Sequence, residues 1–374
     1  MNKRKEFELL LYGTTIESTC CQEIAKEKIQ TLQKWLISNT PTRLYRFRPN
    51  TDYAVNALKN DEIWGSNIWE LNDPYECTPF YNQNTLQKAI ENELSFETIL
   101  NLIKLLKEGI VPNELIRAFG SETIEHIIAN LPDTIDESVL KKNCEILKQD
   151  IVAFIIKNLN EISNQFFVGI LQAESQRNIA CFSERNDSSL MWGHYSSGHK
   201  GFCLEYNFKS MLKPCDQSCT DIIGCNNFML TPSIAPVVYS KTRFDATTHL
   251  FTVIQANIIE KTKTNMELYY GDTLLTSKCL LTKSSDWKYE KEWRLFSTPS
   301  LNMSESHKVI FYARPTSVYI GRRSSPEQTK VLRKICKEKN IPCYQMVQNY
   351  FGDTFKLFPV LYDDYIKDIS LNNK

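Results

Sequence analysis

The chain carries no surplus charge of either sign, since Lys plus Arg and Asp plus Glu number 44 each. That balance excludes a global positive field of the kind that gathers nucleic acid or anionic membrane, and leaves only local basic strips. No apolar run approaches the ~18–20 residues needed to span a bilayer, so no membrane partner is expected. The start, Met1-Asn2-Lys3-Arg4-Lys5-Glu6-Phe7-Glu8, is interrupted by Glu before any long apolar run, which argues against a signal peptide. The 12 cysteines lack paired spacing and read as reduced thiols of a cytoplasmic protein. Cys215, Cys219 and Cys225 cluster, but at spacings that match no common zinc module and with no histidine beside them, so no metal site is expected. A Gly-rich dinucleotide loop, an internal repeat and a low-complexity tail are also missing, which removes a Rossmann-type cofactor site from consideration.

What is present is an ordinary globular balance, with 42% hydrophobic residues in 374, enough for a sizeable core in one elaborated domain or two. Residues 1–42 read as an N-terminal helical segment, with Ile24, Ile29, Leu32 and Leu36 at helical spacing before Pro41. Residues 43–82 open an α/β core: a strand Arg43–Arg48, a short helix with Thr51 as its cap, a strand over 61–66 and a turn-rich loop Asn72-Asp73-Pro74-Tyr75-Glu76. Residues 83–176 change to a 3.6-residue period over Leu94–Leu106, Ile124–Leu131 and Val139–Leu171, the pattern of an amphipathic helical insertion. Residues 177–374 return to the core with Ile179–Ser183, Phe202–Tyr206 and Val237–Tyr239 as strands. A helix capped by Ser325-Pro326 and further strands at 342–347 and 355–360 complete it. The fold class expected is α+β.

The most informative stretch is Trp287-Lys288-Tyr289-Glu290-Lys291-Glu292-Trp293-Arg294. A period of two places Trp287, Tyr289 and Trp293 on one face and Lys288, Glu290, Glu292 and Arg294 on the other, which predicts a strand with an apolar back and a charged front. Two carboxylates two residues apart on one strand face stand roughly 6–7 Å apart, near enough to share a substrate and raise one another's pKa.

Six motifs in order, Leu44-Tyr45-Arg46-Phe47-Arg48, Asn72–Glu76, Cys181-Phe182-Ser183, Met191-Trp192-Gly193-His194-Tyr195, His199-Lys200-Gly201 and Trp287–Arg294, resemble those of the bacterial domain-of-unknown-function family 2971. They span roughly residues 43–325. More distantly, the order of elements resembles the ADP-ribosyltransferase fold of toxin and defence transferases, a split β-sheet core here carrying a large helical insertion. That resemblance implies NAD as substrate, with Glu292 as catalytic glutamate and Glu290 as the base for the acceptor. It also implies Arg46 (or Tyr45, depending on register) on the NAD ribose or phosphate, Ser183 on the nicotinamide side and Arg185 on phosphate. Trp192 or Tyr195 would stack on nicotinamide, and Lys283 would hold phosphate or the carboxylates; His194, read from the residues themselves, has a hydrogen-bonding or substrate-facing role. The acceptor implied is a nucleic acid, RNA favoured, or a protein, and an intracellular toxin or antiphage effector of this kind would need a neutralising antitoxin partner.

Two other classes fit the residue types. A non-catalytic nucleotide or nucleic-acid sensor would use Trp64, Trp69, Trp192 and Trp287 as stacking platforms. A magnesium-dependent nuclease would use Asp73, Glu76, Glu290 and Glu292.

Overall fold

The computed structural model describes residues 2–17, 20–111, 121–129, 148–149, 152–153, 156–157, 178–212, 234–255, 272–297, 307–350 and 352–372. The Cys215, Cys219 and Cys225 cluster and most of the Val139–Leu171 stretch lie outside these residues. The fold is mixed α+β, built on a ten-stranded sheet flanked by helices. No described helix is long and apolar enough to cross a membrane.

The strands are β1 (Leu44–Arg48), β2 (Glu62–Asn67), β3 (Asn178–Ser183), β4 (Phe202–Tyr206), β5 (Ile234–Pro236), β6 (Val238–Ser240), β7 (Thr282–Ser284), β8 (Glu292–Phe296), β9 (His307–Tyr312), β10 (Ser317–Ile320), β11 (Cys343–Gln348) and β12 (Leu357–Leu361). One half of the sheet runs β12-β11-β10-β4-β1, and the other joins β9, β2, β3, β8 and β5. β8 pairs along one edge of β3, from Ile179↔Phe296 to Ser183↔Glu292. On the other edge β1 touches β3 only at Tyr45↔Ser183, and β2 touches it only at Ser66↔Ile179 and Asn67↔Asn178. Among the described residues the edge of β3 from Ala180 to Phe182 therefore has no strand on that side, and the sheet splits there.

The local chemistry explains why the elements start and stop where they do. Thr51 accepts a hydrogen bond from the Ala54 amide and caps the Asp52–Lys59 helix, and Ser325 does the same for Gln328 at the head of the Pro326–Lys339 helix. From 83 to 176 the described helices are Gln83–Glu93, Phe96–Lys107 and Ser121–Ala129. The main core buries Leu44, Phe182, Phe202, Leu204, Trp293 and Leu295 against the Lys3–Gly13, Gln22–Asn39 and Pro326–Lys339 helices. Tyr45, Phe47, Trp192, Cys203, Tyr319 and Met346 form a second cluster, to which the Ser189–Tyr195 helix contributes Trp192. Residues opposite one another in an antiparallel pair share a face, so the register places Tyr45, Ser183 and Glu292 on one side of the sheet and Arg46 on the other.

The strand expected over Trp287–Arg294 is not continuous. Ser285–Glu290 forms a 3₁₀ helix capped by Ser284, Lys291 takes the left-handed conformation at φ 46°, and the strand begins only at Glu292. Alternation cannot pass through a left-handed residue, so Trp287 and Tyr289 do not share a strand face with Trp293. Nor is the front a solvated one: Glu290, Glu292 and Arg294 are all buried.

Candidate active site in the split of the sheet

The split opens a cavity of about 240 Å³ whose lining includes Tyr45, Arg46, Arg48, Ser183, Tyr195, Lys283, Glu290 and Glu292. Seven of the ten residues singled out in the sequence thus share one cavity, and three do not. Trp192 is fully buried, donates its indole N–H to the Asn186 carbonyl at 2.6 Å and packs edge-on against Phe47, so it is a core residue rather than a stacking platform. Arg185 is held by Asp187 at 2.5 Å. His194 is exposed beside Tyr195 and Tyr289, with ring centroids 6.2 Å from each.

At the back of the cavity Lys283 Nζ donates to Glu290 Oε2 at 2.7 Å and to Glu292 Oε2 at 3.0 Å, with Glu76 at 3.5 Å. Arg294 Nε donates to Glu292 Oε1 at 2.8 Å, and the same guanidinium pairs with Glu76. Three carboxylates thus meet two cations, all of them largely buried at the cavity's back wall. Three carboxylates against two cations leave one negative charge uncompensated within the cluster. Burial and then the charge of Glu292 raise the Glu290 pKa, against the opposing pull of Lys283 and Tyr195. Burial also works to lower Lys283, but Glu292 and Glu290 outweigh it and hold the ammonium well above its ordinary range. Burial and its neighbour thus hold the Glu290 carboxyl above its ordinary value.

Glu290 is placed by three further contacts. The Tyr195 hydroxyl donates to its Oε1 and accepts from the Asn72 side-chain amide at 3.1 Å. The Ser183 hydroxyl donates to its main-chain carbonyl at 2.6 Å, and the Arg185 amide donates back to the Ser183 oxygen at 3.2 Å. Ser183 therefore anchors the turn that bears Glu290 while also lining the cavity. Sequence reasoning also missed Arg4, whose guanidinium donates to the Val237 and Glu292 carbonyls at 2.7 and 2.9 Å and pairs with Glu184 at 2.6 Å, clamping the start of β8. Nothing in the local pattern of the first helix marks this long-range contact.

The opposite wall carries Arg46 and Arg48. Arg46 donates to the Trp64 carbonyl and lies 5.7 Å over the Phe182 ring, and Arg48 lies 5.6 Å over Tyr53. Among the described residues neither forms an ion pair. Burial, with Arg48 alongside, pushes Arg46 down to about 9, so it is still a cation at neutral pH. Two half-buried guanidinium groups without a carboxylate are a receptive place for an anion. The split lets Arg46, which points off the opposite face of β1, line the same cavity as Tyr45.

The magnesium arrangement does not fit these positions. The Lys283 ammonium occupies the space between Glu76, Glu290 and Glu292 that a divalent cation would need, and Asp73 accepts from the Trp287 indole at 3.0 Å. Among the described residues no group of three or more His, Cys, Asp or Glu side chains is arranged to hold a metal.

No curated protein and no solved structure matches the chain. A family model described as a protein of unknown function, DUF2971, matches residues 191–295, narrower than the span of the motifs but reaching from Met191 to Leu295 and so taking in Tyr195, Lys283, Glu290 and Glu292.

Proposed function

We propose that the protein is a mono-ADP-ribosyltransferase that binds NAD in the split of an ADP-ribosyltransferase-like sheet. The observation that carries this reading is the pairing, in one cavity, of Arg46 and Arg48, which have no ion-pair partner among the described residues, with the Glu290, Glu292, Lys283 and Tyr195 cluster. The cavity is smaller than the ~300–1,000 Å³ of sites that enclose a whole drug-sized ligand. It suits one end of the dinucleotide, the nicotinamide ribose, with the pyrophosphate at the arginines.

The chemistry follows from charge. As the bond between ribose C1′ and the nicotinamide nitrogen breaks, its electron pair leaves with nicotinamide and the ribose becomes oxocarbenium-like. A carboxylate held on the ribose 2′-hydroxyl stabilises that charge more than it stabilises bound NAD. Glu292, fixed from two sides by Lys283 and Arg294, serves as this group. The acceptor's nucleophile then bonds to C1′ and gives up its proton to Glu290, whose raised pKa suits a base that must also release the proton again. Tyr195 and Lys283 hold Glu290 in place. A nucleic acid, RNA in the first instance, is the acceptor favoured, and inside a cell such an activity requires a neutralising partner protein.

Incubation with labelled NAD and cell lysate, followed by separate protease, RNase and DNase digestion, tests the reading. Label is expected in a nuclease-sensitive fraction, lost in Glu292→Gln and kept in Lys334→Ala, a side chain 78% exposed on the Pro326–Lys339 helix. No transfer together with no calorimetric binding of NAD would overturn it.

A further inference from the structure

A second pocket of about 400 Å³ lies beside the candidate active site and takes no part in the chemistry above. Its lining includes His199, Arg322, Arg323, Phe355 and Lys356. Two aromatic rings stand almost free of the protein at its rim, Phe355 at 95% exposure and Tyr350 at 76%. Such exposure of large rings costs apolar hydration that folding has not recovered, and it leaves two flat faces on offer. Arg322 donates to the Tyr350 hydroxyl at 3.2 Å, so ring and guanidinium are presented together. Neither Arg322 nor Arg323 forms an ion pair among the described residues. Lys356 is an exposed cation that meets Asp187 at 3.6 Å, and among the described residues of the lining Asp353 is the one carboxylate. In a chain whose charges cancel overall, this is a local positive surface.

The backbone that carries the two arginines is also preformed. His199 sits at φ 69° with its carbonyl accepting the Arg323 amide at 2.9 Å, and the Gly321 amide donates to the Gly201 carbonyl at 2.9 Å. A Cβ at Gly321 would stand 2.3 Å from the His199 carbonyl oxygen, so only glycine permits this closure. Rigidity of this kind lowers the ordering cost of binding.

We infer that this pocket is a docking site for single-stranded nucleic acid, which it presents to the carboxylate cleft. Guanidinium forks and a lysine suit a phosphodiester backbone, and exposed rings suit bases not already stacked in a duplex. An acidic peptide would match the cations but leave the rings idle. The geometry supplies the link to the active site. Ser189, at one end of a seven-residue helix, lines the docking pocket, while Met191 and Tyr195 line the cleft. The same strip is stitched to β12 by the Ser188↔Lys356 bridge and by the Leu357 amide donating to the Asp187 carbonyl at 3.0 Å. A helix of that length is about 10 Å long, so a strand anchored in the pocket reaches the cleft within a few nucleotides. The presenting role rests on the transferase reading; the docking site itself does not.

Fluorescence anisotropy with labelled 12-nucleotide RNA, DNA of the same sequence and their duplexes separates the two. Single strands are expected to bind more tightly than duplexes, and Lys334→Ala is expected to bind them as the wild type does. Phe355→Ala should weaken binding about 5–150-fold, with Phe355→Trp restoring it. Replacing Arg322 and Arg323 together by Ala should reduce the slope of log affinity against log salt by about 1.4, the value for two lost phosphate contacts on a single strand. Both patch variants should retain NAD binding by calorimetry. Equal affinity for duplex, displacement by polyglutamate as effective as by RNA, or unchanged binding in the patch variants would overturn the inference. Strand binding that survives in a protein that never cleaves NAD would remove the transferase and leave the docking site standing.

Discussion

Lys283 and Glu290 face each other at 2.7 Å although neither lies on the strand that carries Glu292. One comes from β7 and the other from the last residue of the 3₁₀ turn, and their contact is what holds the two carboxylates in a single cluster. Removing the ammonium leaves buried negative charges unpaired, a loss that typically costs ~3–5 kcal/mol. Lys283→Met should therefore lower stability by about that amount at neutral pH in urea unfolding. The deficit should shrink in acid, where the carboxylates take up protons. Because the folded-state pKa of Lys283 is raised, its stabilising contribution is complete below the ordinary lysine value of about 10.5 and is lost as pH rises through the higher folded value. The wild type should lose this contribution at strongly alkaline pH, and Lys283→Met should show no corresponding loss.

The direction of the Glu290 shift makes a prediction about rate. A base must be deprotonated to work, and burial with Glu292 beside it raises the pKa. The acid limb of the pH–rate profile should accordingly lie above the ordinary carboxylate range. Tyr195 donates to Glu290 and pulls its pKa down. Tyr195→Phe should move the acid limb to still higher pH while leaving NAD affinity close to that of the wild type. An unmoved limb would remove Glu290 from the role of base.

The way this site was legible in sequence, and the way it was not, follows from the same residues. Alternation over Leu44–Arg48 and the Ser325-Pro326 cap are local signals, and the corresponding strand and helix form. The stretch from Trp287 to Arg294 alternates just as well, yet it is a 3₁₀ turn as far as Glu290 and a strand only from Glu292, with Lys291 between them in a left-handed conformation that a lysine seldom takes. The two glutamates converge through Lys283, not through strand periodicity. Ser284, two residues before Asp286, accepts its amide hydrogen at 3.3 Å, and Ser284-Ser285-Asp286 is a local sign of a turn. The register that puts Tyr45 on the face of Glu292 and Arg46 on the other depends on pairing with Ser183, well over a hundred residues away, and no local pattern encodes it.

Arg46 sets function against stability. Its guanidinium is depressed by burial and has no acidic partner among the described residues, so the free protein carries a cation that only an anion would neutralise. Arg46→Met should raise the melting temperature of the free protein. Charge-assisted hydrogen bonds are worth ~1.5–3 kcal/mol, so the same variant should weaken NAD binding roughly 10–150-fold by calorimetry. Arg46→Lys should recover little, because an ammonium cannot present a forked donor to a pyrophosphate. A variant that loses stability while keeping NAD affinity would make Arg46 a packing residue.

Ser183 offers the narrowest test, because its hydroxyl touches Glu290 only through the main chain. It is fully buried, donates to the Glu290 carbonyl at 2.6 Å and accepts from the Arg185 amide. Ser183→Ala leaves that carbonyl and that amide each without their hydroxyl partner, at ~1–3 kcal/mol for a buried group. The turn should then hold the Glu290 carboxylate less firmly. A positioning role predicts that kcat falls about tenfold or more while KM for NAD stays within twofold, since the arginine wall is untouched. A direct nicotinamide contact predicts instead that KM rises with it. Ser183→Thr keeps the hydroxyl and should restore most of kcat if the added methyl is accommodated, and a rise in KM in both variants would return Ser183 to the substrate.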